Sequence, residues 1–256
     1  TVGLGTGALA ADDGSANNNT ALGYNALNTS TTASLNVAVG YQALKGLTTA
    51  TSNVAIGYEA LLSCTTGNSN TAVGRSAGRL AVATTDNSTF VGALAGDGAT
   101  GGNVTVVGRA AGRAAGEGSI AVGTSALGGG TGVYNTAIGR SSLNASTTGY
   151  NNTALGYLAG NTATTGTNNT FLGNDAEGSS ATVSNEITLG NGSVTSFRIP
   201  GVSFYNLNGN VGIGTAAPAK QLSITKSALA TINTLTDGAT ITPDFDAGQN
   251  FSVTLA

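Results

Sequence analysis

Asn19-Thr-Ala-Leu-Gly-Tyr-Asn-Ala-Leu27 returns one period later as Asn36-Val-Ala-Val-Gly-Tyr-Gln-Ala-Leu44. The same apolar pentad closes on Gly57, Gly74, Gly92, Gly108, Gly123, Gly139, Gly156, Gly173 and Gly190, with a weaker copy at Gly5. A period this short and this regular is the mark of a solenoid in which each repeat is one turn, because such a unit buries its apolar side chains only by stacking on its neighbours.

Aligned on the glycine, the preceding residue is always aliphatic (Leu22, Val39, Ile56 and onward to Leu189), and the residue before that is usually Ala. Neighbours in a strand point to opposite faces, so these two columns line different surfaces. The expectation is that the aliphatic column fills the coil and the Ala column faces a second chain. Beyond the glycine Ala recurs at a fixed offset, often followed by Leu, as at Ala26-Leu27 and Ala43-Leu44, and this reads as a second short strand across a glycine bend. The remaining half-turn of Thr, Ser, Asn and Gly reads as an outward loop. Asn opens the motif at Asn19, Asn36, Asn53, Asn70, Asn135, Asn152 and Asn169, which predicts an amide ladder along the axis.

Charged residues are 8% of the chain, far below the share usual in soluble domains, and the net charge is −3. No basic stripe is available to grip phosphate backbones, so nucleic acid is not an expected partner. No apolar window approaches the length of a membrane span, and no membrane insertion is expected. The sequence has no initiator Met, opens within a repeat at Thr1 and stops within a strand-like run at Ala256, as expected of a segment of a longer protein.

The repeats at Asn19–Leu27 and Asn36–Leu44 resemble the head repeats of trimeric autotransporter adhesins and the related repeats of bacteriophage tail fibres. That resemblance implies an all-β, trimeric, left-handed parallel β-roll over residues 1–190, a solenoid with about 17 residues per turn. Glu186-Ile-Thr-Leu-Gly-Asn-Gly-Ser193 and Phe197-Arg-Ile-Pro-Gly201 resemble the neck transitions that end such rolls, and Asn210-Val-Gly-Ile-Gly-Thr215 is similar to a motif of phage fibres. A neck over 191–220 is expected. From 221 to 256 the pattern becomes alternating apolar runs with turn signals at Asp237-Gly238 and Ala247-Gly248, which predicts the start of a small antiparallel module. The implied role is a structural fibre protein of a phage tail, located in the virion and extracellular. It would be partnered by two copies of itself, by other fibre or tail proteins, and by a host glycan or protein reached through tip or loops. A bacterial surface adhesin with the same roll is the alternative.

No enzyme, cofactor or metal site is expected. Val39-Gly-Tyr-Gln-Ala-Leu44 resembles one unit of the hexapeptide repeat of left-handed β-helix acyltransferases, but the next slots are Lys45 and Thr51, and that family's catalytic histidine has no counterpart in a chain with no His. Ser223 and Lys226 match S-x-x-K without its accompanying motifs, and Gly212 and Gly214 resemble part of a dinucleotide loop whose helix Pro218 would interrupt. Cys64 is a lone thiol, read as structural. The Thr column at Thr20, Thr71, Thr89, Thr105, Thr136, Thr153 and Thr170 would suit an ice-ordering surface, but Val37, Val54 and Ile120 interrupt it. The position after the glycine holds Tyr24, Tyr41, Tyr58, Arg75, Arg109, Arg140 and Tyr157, residue types enriched at contact surfaces. These are candidate recognition residues, with packing against a neighbouring chain as the competing role.

Overall fold

The computed structural model describes residues 1–13, 17–81 and 85–196, together with the backbone of 211–213 and 222–224. The chain divides into two units, Thr1–Phe197 and Arg198–Ala256.

The first unit is a parallel β-solenoid. Each turn contributes one short strand immediately before its glycine: β1 (Val2–Leu4), β2 (Thr20–Leu22), β3 (Val37–Val39), β4 (Val54–Ile56), β5 (Thr71–Val73), β6 (Thr89–Val91), β7 (Thr105–Val107), β8 (Ile120–Val122), β9 (Thr136–Ile138), β10 (Thr153–Leu155), β11 (Thr170–Leu172) and β12 (Ile187–Leu189). They form one 12-stranded sheet in sequence order. Its register never slips: Thr20 pairs with Val37, Ala21 with Ala38 and Leu22 with Val39, and the same correspondence holds at every junction.

The glycine that ends each strand is obligatory. Gly74 has φ +136, and a Cβ there would lie 2.6 Å from the Gly92 carbonyl oxygen on the next turn, so both the dihedral and the contact exclude a side chain. The second strand expected after the glycine does not form. Asn25, Leu27, Gln42, Leu44, Glu59 and Leu61 all have φ between 48 and 54, a left-handed conformation that curls the backbone into turns. Those turns still bond the next coil, as in Leu27 N–H to the Ala43 carbonyl at 3.0 Å.

The burial of the two strand columns is the reverse of the sequence expectation. From β2 to β11 the central residue of each strand faces inward: Ala21, Ala38, Ala55, Ala72, Ala121, Ala137 and Ala154 are buried, with Phe90, Val106 and Phe171 in the same column. The aliphatic column points outward, with Leu22, Ile56 and Leu155 exposed at 46%, 41% and 50%. Volume explains the inversion, because Ala26, Leu27, Ala33 and their equivalents already fill the coil from the turn side. Where Phe replaces Ala, the Leu position of the preceding turn is Gly, Gly78 before Phe90 and Gly160 before Phe171. A Cβ on Gly78 would come within 2.9 Å of the Phe90 ring, and Gly96 and Gly160 stand against Phe90 and Phe171 in the same way.

The Asn ladder forms, through the backbone more than through paired amides. Asn36 Oδ1 accepts the Asn53 backbone N–H at 2.9 Å while Asn36 Nδ2 donates to the Ala50 carbonyl at 2.9 Å, tying strand entry to loop. The pattern runs from Asn19 to Ser88 and resumes from Asn135 to Glu186.

In the second unit, β13 (Val211–Ile213) and β14 (Leu222–Ile224) pair in parallel. The hairpins expected around Asp237-Gly238 and Ala247-Gly248 lie outside the described residues.

Candidate assembly face

The outer surface of the sheet is built from the first and third residues of every strand. Over β1 to β12 these are Thr, Val, Ile or Leu without exception: no charged side chain and no polar group other than a threonine hydroxyl lies on it. Eleven intervals at a strand spacing of roughly 4.8 Å make it about 53 Å long, and the short strands make it about 10 Å wide. Its projected area is therefore about 500 Å², in the range where a contiguous apolar patch marks an interaction surface.

Seven of the outward residues are threonines: Thr20, Thr71, Thr89, Thr105, Thr136, Thr153 and Thr170. Their hydroxyls have no hydrogen-bond partner among the described residues, whereas loop threonines donate along the axis, as Thr48 does to the Thr65 carbonyl at 3.1 Å and Thr147 to the Thr164 carbonyl at 3.2 Å. The sequence reading misses this face because strand alternation divides residues into two sets without saying which is inside. The signal that could have found it is bulk, since one column holds only Leu, Val or Ile while its partner is mostly Ala.

The column after the glycine borders this face. Tyr24, Tyr41 and Tyr58 are exposed and stack face to face, with centroids 5.3 and 5.0 Å apart and rings within 12° of parallel. The Glu59 side chain beside Tyr58 raises its phenol pKa. Arg75 and Arg109 are exposed, and Arg140 lies over the Tyr157 ring at 5.4 Å. The candidate recognition residues thus fall into a tyrosine stack, an Arg140–Tyr157 pair and two separate arginines rather than one site.

Elsewhere, Asp97 is buried and is held by Arg79, whose Nε donates to Oδ1 at 3.0 Å, with Arg113 at 3.9 Å. Cys64 is buried, its Sγ donates to the Gly67 carbonyl at 3.7 Å, and burial pushes its thiol up to about 11. Burial therefore holds it in the neutral thiol form at neutral pH. Among the described residues no three His, Cys, Asp or Glu side chains converge, and no helix is long and apolar enough to cross a membrane. No family model, curated protein or solved structure matches this chain.

Proposed function

We propose that this chain is a shaft segment of an extracellular fibre, assembled as a parallel homotrimer of left-handed coils, in the manner of bacteriophage tail fibres. The observation that carries the reading is the uncharged outward face of the sheet. A thin coil whose interior holds mostly Ala and Leu has little core of its own, and copies packed about an axis through their Thr/aliphatic faces supply the missing burial.

The work of such a shaft is mechanical. Backbone hydrogen bonds run continuously from turn to turn and leave few openings for a protease, while contact with a host glycan or protein is made by a tip or by loops. The proposal includes no catalytic step, cofactor or metal. A bacterial surface adhesin with the same roll is the second reading, favoured by the quoted repeats, which resemble both families.

The test is the mass of the particle in solution by light scattering after size exclusion. Three chain masses support the shaft. A single chain mass at micromolar concentration would defeat it, because an apolar face of this size would then be stable in water without a partner.

A further inference from the structure

The outward face carries a pattern as well as an apolar character. Taking each row by its first residue, β2, β5, β6, β7, β9, β10 and β11 present a threonine, while β1, β3, β4, β8 and β12 are wholly aliphatic. The two blocks of three threonines, Thr71/Thr89/Thr105 and Thr136/Thr153/Thr170, are separated by Ile120, and Val37 and Val54 set the isolated Thr20 apart from the first block. Over all twelve rows the order does not read the same in both directions, because β1 to β3, with Thr20, break the symmetry of β4 to β12.

We infer that these threonine rows fix the polarity and axial register of self-association, with each hydroxyl meeting the equivalent hydroxyl of another copy of this chain. The inference rests on the assembly proposed above and names what specifies it. The occupants are further copies of this chain, because sealing one such face from each of three copies about a common axis buries roughly 1,500 Å² in all, within the range of a specific assembly. A partner of different sequence would have to reproduce the same interrupted pattern of hydroxyls.

The physical basis is the asymmetry of hydrogen bonding. A threonine hydroxyl sealed against another hydroxyl can donate and accept, whereas one sealed against Val or Ile is buried with no partner, which costs more than a made bond returns. The seven hydroxyls have no competing partner among the described residues. With copies parallel and in register, every row meets its own kind. A one-row slip pairs unlike rows at six of the eleven contacts: β1–β2, β2–β3, β4–β5, β7–β8, β8–β9 and β11–β12. An antiparallel pair aligned end to end sets aliphatic β3 and β4 against the threonines of β10 and β9, and Thr71 of β5 against Ile120 of β8, while an offset antiparallel pair that matches β4 to β12 row for row leaves β1 to β3 of each copy, Thr20 included, uncovered. A four-row slip realigns the two blocks but leaves four rows of each copy uncovered.

The test is the distance between nitroxide labels at Arg75→Cys, in a Cys64→Ala background, by double electron–electron resonance on the assembled particle. The unsubstituted face should give one narrow distance distribution. Replacing all seven threonines by Val removes the pattern while keeping shape, so the particle should still associate but with a distribution about twice as wide, because each row of slip moves the label by roughly 4.8 Å. Should that variant precipitate, Thr71→Val/Thr89→Val/Thr105→Val, which leaves a single block, should give intermediate broadening. A distribution as narrow as that of the unsubstituted protein, in whichever variant is measured, overturns the inference. A particle of one chain mass before any threonine is changed defeats the assembly itself, and the two failures are thereby separable.

Discussion

The turns from Asn19 to Asn70 and those from Ser88 to Ser119 build the same sheet from different materials. In the first region the closing glycines Gly23, Gly40, Gly57 and Gly74 are evenly spaced, and each turn carries a buried Asn at strand entry, Ala inside the strand and, through Leu61, Leu after the glycine. In the second, Gly92, Gly108, Gly123 and Gly139 stand closer together along the chain, and the ladder positions become Ser88, Val104 and Ser119. There the inward column holds Phe90 and Val106, and a buried Asp97 is tied to Arg79 and Arg113. Strand register is identical in both. The rise of the coil is therefore set by the strand and its closing glycine, while ladder, core filling and loop length are exchangeable so long as volume and hydrogen bonds are satisfied.

The strongest way to break this equivalence is at the glycine column, where both regions should fail alike. Gly74→Val in the first and Gly108→Val in the second each force a positive φ on a β-branched residue against a backbone carbonyl. Strain and overpacking together should remove roughly 3–6 kcal/mol, as the sum of a forbidden dihedral and a core clash. Thermal unfolding followed by circular dichroism checks it; a large loss at Gly74 and a small one at Gly108 would mean that the middle turns are held differently.

Next in size is Phe90→Ala, which should cost about 3–5 kcal/mol by opening a cavity in the second region. Adding Gly96→Leu rebuilds the Ala/Leu pairing of the first region, and the double variant should recover part of that loss. Denaturant titrations of the two singles and the double give the coupling directly. Strict additivity would show that Phe90 and the glycine beside its ring do not share one volume.

The smallest contrast lies in the ladder. Asn53→Ala leaves the Asn70 N–H without its buried partner and the Gly67 carbonyl with only the weak Cys64 thiol donor, and should cost about 2–3 kcal/mol. Ser119→Ala removes a weaker bond, the 3.2 Å contact from the Asn135 N–H, and should cost about 1 kcal/mol. Amide hydrogen exchange at Asn70 and Asn135 reports each loss locally; equal effects would mean that the hydroxyl serves the ladder as well as the amide.

The period, the strand before each glycine, the Asn ladder and the inert role of Cys64 are legible in the sequence because each follows from local spacing or residue chemistry. The second strand expected at Ala26-Leu27 fails for a tertiary reason: residues such as Asn25 and Leu27 adopt left-handed dihedrals that their side chains disfavour, and only the demand to close a coil imposes them. The grouping of Tyr24, Tyr41 and Tyr58 into one stack is implicit in their common offset from the glycine, whereas the separation of Arg75 and Arg109 from any partner tyrosine is not.

That this chain coils, where each turn begins and ends, and that glycine must close every strand follow from the amino-acid order alone, because a fixed period and a missing Cβ are properties of single positions. Which side of the sheet is core was decided only in three dimensions. Alternation gives two apolar faces of equal standing along the strand, and the choice between them depends on how much volume the rest of the turn has already filled: with Leu and Ala entering from the bend, the coil has room for Ala on the strand and leaves Leu, Val, Ile and Thr on the outside.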